Sequence, residues 1–179
     1  TGALLIALTV GAAGCQSINR MSRKANIANP APCPNVLVLE DAGRMIDFAG
    51  DATIENVAWT AEITNVETNC RYFDTEPIEA EVEVTFDVGR GPQAGAEDMT
   101  LQYFVAVTRT DRDMIAKEEF TVPVRFGNRD AVRVSDKVGR ITIPRKDENT
   151  SGVNFEIVVG LALSREQVLY NRSGKSLKF

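Results

Sequence analysis

Glu79, Glu81 and Glu83 form the densest set of potential ligands in this 179-residue chain. On an extended strand they would share one face at about 7 Å spacing, a ladder that could hold calcium or meet a basic partner. A solvated outer face explains the same pattern. Asp111-Arg112-Asp113 has the spacing of two calcium ligands, but Ala116 stands where an EF-hand loop needs glycine and the closing glutamate is missing, so the triplet reads as a turn. Gly174-Lys175-Ser176 ends like a phosphate-binding loop, yet Leu169 occupies the place of its first glycine. The chain contains no histidine, which removes the commonest general base, the usual serine and cysteine triads and the usual zinc ligands together. No carboxylate pair can be placed at catalytic distance, so an envelope hydrolase using carboxylates is the least supported class. The expectation is a protein that is not an enzyme and that needs no cofactor or metal.

The elements that would position these residues are strands. In "PIEAEVEVTFDVG", 77–89, Ile78, Ala80, Val82, Val84, Phe86 and Val88 alternate without interruption against polar residues, the pattern of a half-buried strand. "GVNFEIVVGLALS" places Val153, Phe155, Ile157, Val159, Leu161 and Leu163 on one face. "TLQYFVAVT" from Thr100 and "EFTVPVRF" from Glu119 read as a hairpin joined around Asp111, Arg112 and Asp113. Pro123 confines its strand to an edge or a bulge, because proline cannot donate to a ladder. Five shorter candidates, "NVLVLE", "RMIDFA", "VAWTAEI", "AVRV" and "RITIP", bring the strands to nine. "SREQVLYN" has the form of a capping box, with Ser164 at the N-cap and Gln167 three residues on, and predicts one short helix. The class expected is all-β: an antiparallel, immunoglobulin-like two-sheet sandwich with one short C-terminal helix. Cys33, Trp59 and Cys70 lack the spacing of true immunoglobulin domains. Phe104 points opposite to Tyr103, and would be a binding patch if its face is open.

Before all of this, "ALLIALTV" (3–10) is an apolar block of h-region length, too short to span a bilayer. Ala12, Ala13 and Gly14 follow, then Cys15. The order resembles the lipobox of bacterial lipoproteins, in which the cysteine is acylated and the peptide before it removed. No Lys or Arg precedes Cys15, so residues 1–14 are read as a truncated signal peptide; the alternative is a short buried helix with a core cysteine. The resemblance implies a membrane held through a lipid anchor on Cys15, stable with two or three acyl chains. Gln16 after the cysteine favours the outer membrane, with the protein facing the periplasm. "VGLALSREQVLYNR" is also similar to the end of an uncharacterised proteobacterial envelope lipoprotein type, which supplies no activity.

With Cys15 lipidated, the three cysteines become an even pair in a compartment that permits disulfides, and Cys33–Cys70 is the expected bridge; two buried free thiols are the alternative. Residues 15–32 form a lipidated cysteine and flexible tether carrying Arg20, Arg23 and Lys24 and no acid, and 33–179 form the β-sandwich domain. The whole chain is −5, so the part beyond this basic tether carries −8, a balance that argues against nucleic acid. The expected function is a non-enzymatic structural or protein-interaction module of the cell envelope, binding another envelope protein or assembly. Phe104, Asp111, Asp113 and Pro123 are its candidate contact residues. A small-ligand or cation-binding envelope lipoprotein is the alternative.

Overall fold

The computed structural model describes residues 32–96, 98–110 and 113–174. Cys15, the signal segment, the tether up to Ala31 and Asp111 lie outside the described residues.

Alternation decides the layers. The core face of β4 (Ile78–Arg90) is the uninterrupted run seen in the sequence, and no member of it is more than 1% exposed. It lies inside a four-stranded sheet of order β2-β3-β4-β7, with β2 Arg44–Phe48, β3 Val57–Arg71 and β7 Ala131–Ile143. The facing sheet has the order β1-β8-β5-β6, with β1 Asn35–Val38, β5 Asp98–Arg109, β6 Met114–Arg125 and β8 Phe155–Leu161. Leu101, Tyr103, Val105 and Val107 from β5 and Phe155, Ile157, Val159 and Leu161 from β8 meet the β4 face across the core. The chain is the expected all-β sandwich. Its one departure from antiparallel pairing is β1 against β8. These are the first and last strands, so the whole intervening domain serves as the crossover that parallel pairing requires.

Eight strands are present among the described residues, where the sequence suggested nine. "AVRV" and "RITIP" are one strand, β7, continued through a bulge at Gly139 and Arg140. The reason is a change of parity. Val132, Val134 and Val138 face the core opposite Val88, Phe86 and Val82, whereas Ile141 and Ile143 face it opposite Ala80 and Ile78. One extra residue opposite Glu81 keeps both sets inward. The same device lets β3 run eight residues past "VAWTAEI": Ala61 and Ile63 face inward on one parity, Val66 and Cys70 on the other, with the shift between Ile63 and Asn65. Val153 is not on the core face of β8. It lies in a 3-10 turn (Gly152–Asn154) and is exposed.

One lateral side of the sandwich is closed. A 3-10 turn at Glu40–Ala42 passes from β1 to β2, and helix α1 (Arg165–Arg172) docks against the turn and β2. Both halves of the predicted capping box are made: Gln167 N donates to Ser164 Oγ at 3.2 Å and Ser164 N to Gln167 Oε1 at 2.8 Å. Asn171 Nδ2 donates to the carbonyls of Asp41 and Arg44, and Tyr170 meets the ring of Phe48 edge-on at 5.4 Å.

The chain enters the sandwich through a pinned segment. Cys33 is bridged to Cys70 of β3 across 37 residues of sequence. Tyr72 Oη donates to the carbonyl of Pro32 and accepts from Gly152 N, and a Cβ on Gly152 would fall 2.1 Å from that carbonyl. Arg145 stacks on the Tyr72 ring and donates to the carbonyls of Asp74, Glu76, Glu148 and Thr150. Closing a loop of this length restricts the unfolded chain by about 4 kcal/mol. Urea unfolding of the double variant Cys33→Ser/Cys70→Ser is therefore expected to show a loss of about that size; an unchanged midpoint would remove the bridge from the stability of the fold.

The two sheets are also joined by a hydrogen bond. Tyr103 of β5 is fully buried, packs on Phe86 at 5.1 Å and donates to Asp136 Oδ2 of β7 at 2.8 Å. Burial, reinforced by the neighbouring carboxylate, pushes its phenol well above the ordinary value of 10.0. An acid whose pKa is raised by folding contributes stability that is complete below its unfolded value and is lost as pH climbs past it. Stability should thus fall above pH ~10, with up to about 1.4 kcal/mol per pH unit from this group. Tyr103→Phe should remove that component of the slope and cost about 1–2 kcal/mol at neutral pH, where Asp136 loses one of its two donors. Denaturation midpoints across pH 8–11 for both proteins check this.

Candidate functional site

The other lateral side, between β6 and β7, is open. Each is the edge strand of its sheet, and the gap between them holds a groove of about 400 Å³. Its floor is the margin of the core: Val105 and Val107 of β5 and Val138 of β7. Half-buried Ile115, Phe120 and Ile141 line its sides, while Lys117, Glu118 and Arg140 stand at its rim.

The β6 lip follows from its sequence. Pro123 sits opposite Thr100, and since a proline cannot donate to the ladder, its place on this strand is one whose N–H direction faces away from β5. Alternate residues on the same side of the backbone, Lys117, Glu119 and Thr121, accordingly turn their N–H groups to the open edge. Glu118 is directly opposite buried Val105, so its side chain is on the core side of the sheet. It reaches water there because nothing among the described residues covers the edge. Pro123, the core-side Glu118 and a register shift beside Ile115 are all features that discourage uncontrolled edge pairing.

The β7 lip is shaped by the bulge. Arg140 has φ +62°, in the left-handed region, which disfavours a side chain by about 1 kcal/mol. A bulge also turns the affected side chain in a new direction. Arg140 borders both the groove and a shallow hollow on the outer face lined by Arg71, Glu79 and Glu81. Those glutamates already have cations. Arg71 pairs with Glu79 at 2.9 Å and Lys137 with Glu81 at 2.7 Å, and farther along Arg133 pairs with Asp87 at 2.6 Å. Hydrogen bonds from Lys137 and Arg133 hold the carboxyls of Glu81 and Asp87 below their ordinary range. The guanidinium of Arg140 has no hydrogen-bond or ion-pair partner among the described residues, and neither has the carboxylate of Glu118.

The sequence-derived candidates do not converge. Pro123 is on the β6 edge, exposed, beyond the groove. Asp113 is at the end of the β5–β6 hairpin, its carbonyl accepting from Arg109 N at 2.9 Å. Phe104 is on the outer face of this same sheet, its ring laid over Gly160 with Lys117 Nζ 4.7 Å from its centre. That ring is half-covered, and a Cβ on Gly160 would fall 2.7 Å from it. The glutamate ladder is where alternation placed it, on the outer face of β4, but Glu79 and Glu81 serve cross-strand ion pairs. Arg140 was missed. Its signal was available: apolar parity changes between Val138 and Ile141, and a parity change inside one strand marks a bulge.

The strain at Arg140 gives a direct test of whether this residue serves stability. Arg140→Gly places at φ +62° the residue that tolerates it, and is expected to stabilise the fold by up to about 1 kcal/mol. Thermal unfolding of the two proteins measures the difference; a clear destabilisation would mean that the arginine side chain holds the bulge together.

Compared with known proteins, the chain has no matching family model, no matching curated protein and no matching solved structure.

Proposed function

We propose that this protein is a lipoprotein of the bacterial outer membrane, anchored through Cys15 and facing the periplasm, whose sandwich is a non-enzymatic module that binds another envelope protein or assembly. The observation that carries the binding half of this reading is the groove between β6 and β7: an apolar floor left uncovered at the only lateral side that no turn or helix closes among the described residues. Apolar surface of this kind beside free strand edges is what sandwich folds offer to partners. The anchoring half rests on the resemblance of residues 8–15 to a lipobox. The Cys33–Cys70 bridge supports the same compartment, because such bonds persist in oxidising surroundings.

The cation-binding alternative has less behind it. Two of the three carboxylates of its ladder, Glu79 and Glu81, are held by Arg71 and Lys137.

Two measurements test the proposal together. Membrane fractionation and intact mass of the protein expressed in a bacterial host are compared with Cys15→Ser, and a photo-cross-linking residue is placed at Ala116, on the groove, or at Glu83, on the outer face. The expected result is an acylated, membrane-bound wild type, a soluble variant, and an adduct with an envelope protein from position 116 that is missing from position 83. An unmodified soluble wild type would overturn the anchor. Equal labelling from both positions would overturn the groove as the binding surface.

A further inference from the structure

We infer that the groove receives an extended peptide segment of the partner, with apolar side chains directed at the floor, an acidic side chain held by Arg140 and a basic one by Glu118. This rests on the reading of the groove as a docking surface and goes beyond it in naming the occupant.

The shape is the first reason. The lining residues fall into two runs, Ile115–Phe120 on β6 and Val138–Thr142 on β7, so each lip is about five or six residues, or ~16–20 Å, of extended chain. The lips belong to facing sheets, which pack about 10 Å apart. A hollow that runs along two strands in this way suits one extended segment better than a globular surface. The concave outline also disfavours a second copy of the same face, since two hollows do not fill one another.

Charge is the second reason. Around a groove with an apolar floor, the two charged side chains without partners among the described residues are of opposite sign and on opposite lips: Arg140 on β7 and Glu118 on β6. The remaining rim charge is engaged, because Lys117 is paired with Glu119 at 2.9 Å and stacked on Phe104. The carboxylates that line the outer-face hollow with Arg140, Glu79 and Glu81, are satisfied by Arg71 and Lys137, which leaves its fork of donors free for a carboxylate arriving from outside. An arginine held in the left-handed region by a bulge is costly as a mere surface residue, whereas the same bulge directs it to the rim of the slot. A segment with one acidic and one basic side chain would be fixed in direction as well as position.

Random twelve-residue peptides displayed on phage and panned against the purified full chain, and in parallel against Arg140→Glu and Glu118→Lys, test this. Circular dichroism first establishes that both variants are folded. The expected enriched peptides alternate apolar residues and carry Asp or Glu on one side and Lys or Arg on the other. As synthetic peptides they should bind Arg140→Glu at least tenfold more weakly than wild type. Panning on Arg140→Glu should replace the acidic position by a basic one, a change of specificity that a purely structural role would not produce. Enriched peptides without a carboxylate, equal affinity for wild type and Arg140→Glu, or no enrichment would each overturn the inference. So would concentration-dependent self-association abolished by Arg140→Glu, or a co-purified acyl chain lost from that variant, which would assign the groove to a second copy or to a lipid. Adducts with an envelope protein from position 116 would survive any of the peptide failures, so the docking surface and the identity of its occupant fail separately.

Discussion

The core face of β4 sets the rest of this molecule. Six apolar side chains, from Ile78 to Val88, are buried on one parity without a break, and slipping that strand by a single residue would exchange all of them for Glu79, Glu81, Glu83, Thr85, Asp87 and Gly89. The exchange is prohibitive, since burying a single unpaired carboxylate already costs several kcal/mol. β4 is therefore a fixed ruler, and the strands on either side conform to it. Neither neighbour has unbroken alternation. β3 changes parity between Ile63 and Val66, β7 between Val138 and Ile141, and in each the mismatch is absorbed by a bulge on the neighbour while β4 remains regular. The left-handed backbone at Arg140 is thus a consequence of a constraint several residues away on another strand.

The division between what could be read from the sequence and what could not follows the same physics. Uninterrupted alternation was legible because it is local: β4, most of β5, the core face of β8 and the edge position imposed by Pro123 all follow from residues within one strand. Strand lengths were not. β3 continues through "TNVETNCR", a stretch with few apolar residues, because its polar positions face water while Val66 and Cys70 dock on β4. Local composition reads that stretch as a loop, and only the long-range pairing makes it a strand. The parallel pairing of β1 with β8 was hidden for a related reason: it joins the two ends of the domain, and nothing in either segment encodes the other. The candidate site was still less visible, since its residues come from β5, β6 and β7 and share no motif.

The two lateral sides show how the same architecture treats its exposed margins differently. On the β1–β2 side, a short turn and an eight-residue helix cover the margin, and Asn171, Tyr170 and Arg172 tie the helix down through hydrogen bonds, a ring contact and an ion pair with Asp41. On the β6–β7 side the margin carries proline, bulges and charge instead. These features prevent an edge from recruiting arbitrary strands, but they do not cover apolar surface. Val105, Val107 and Val138 consequently form a margin of the core that underlies the groove. The β6–β7 margin resists pairing through backbone hydrogen bonds, while its apolar floor stays without a roof among the described residues.

Glu118 and Asp136 show how finely that margin is tuned. Both are acidic residues on the core side of edge strands, opposite Val105 and Val84 respectively. Asp136 is supplied with two donors, the phenol of Tyr103 at 2.8 Å and the backbone N–H of Lys137 at 3.0 Å, so it can be drawn half-inside the sandwich and bind the sheets together. Glu118 has no such donor among the described residues and stays in water, which keeps the gap beside it open: closing the sheets over it would strand an unpaired carboxylate. The groove is therefore held apart by the same rule that closes the sandwich one step along, a buried polar group being tolerated only where its hydrogen bonds are made.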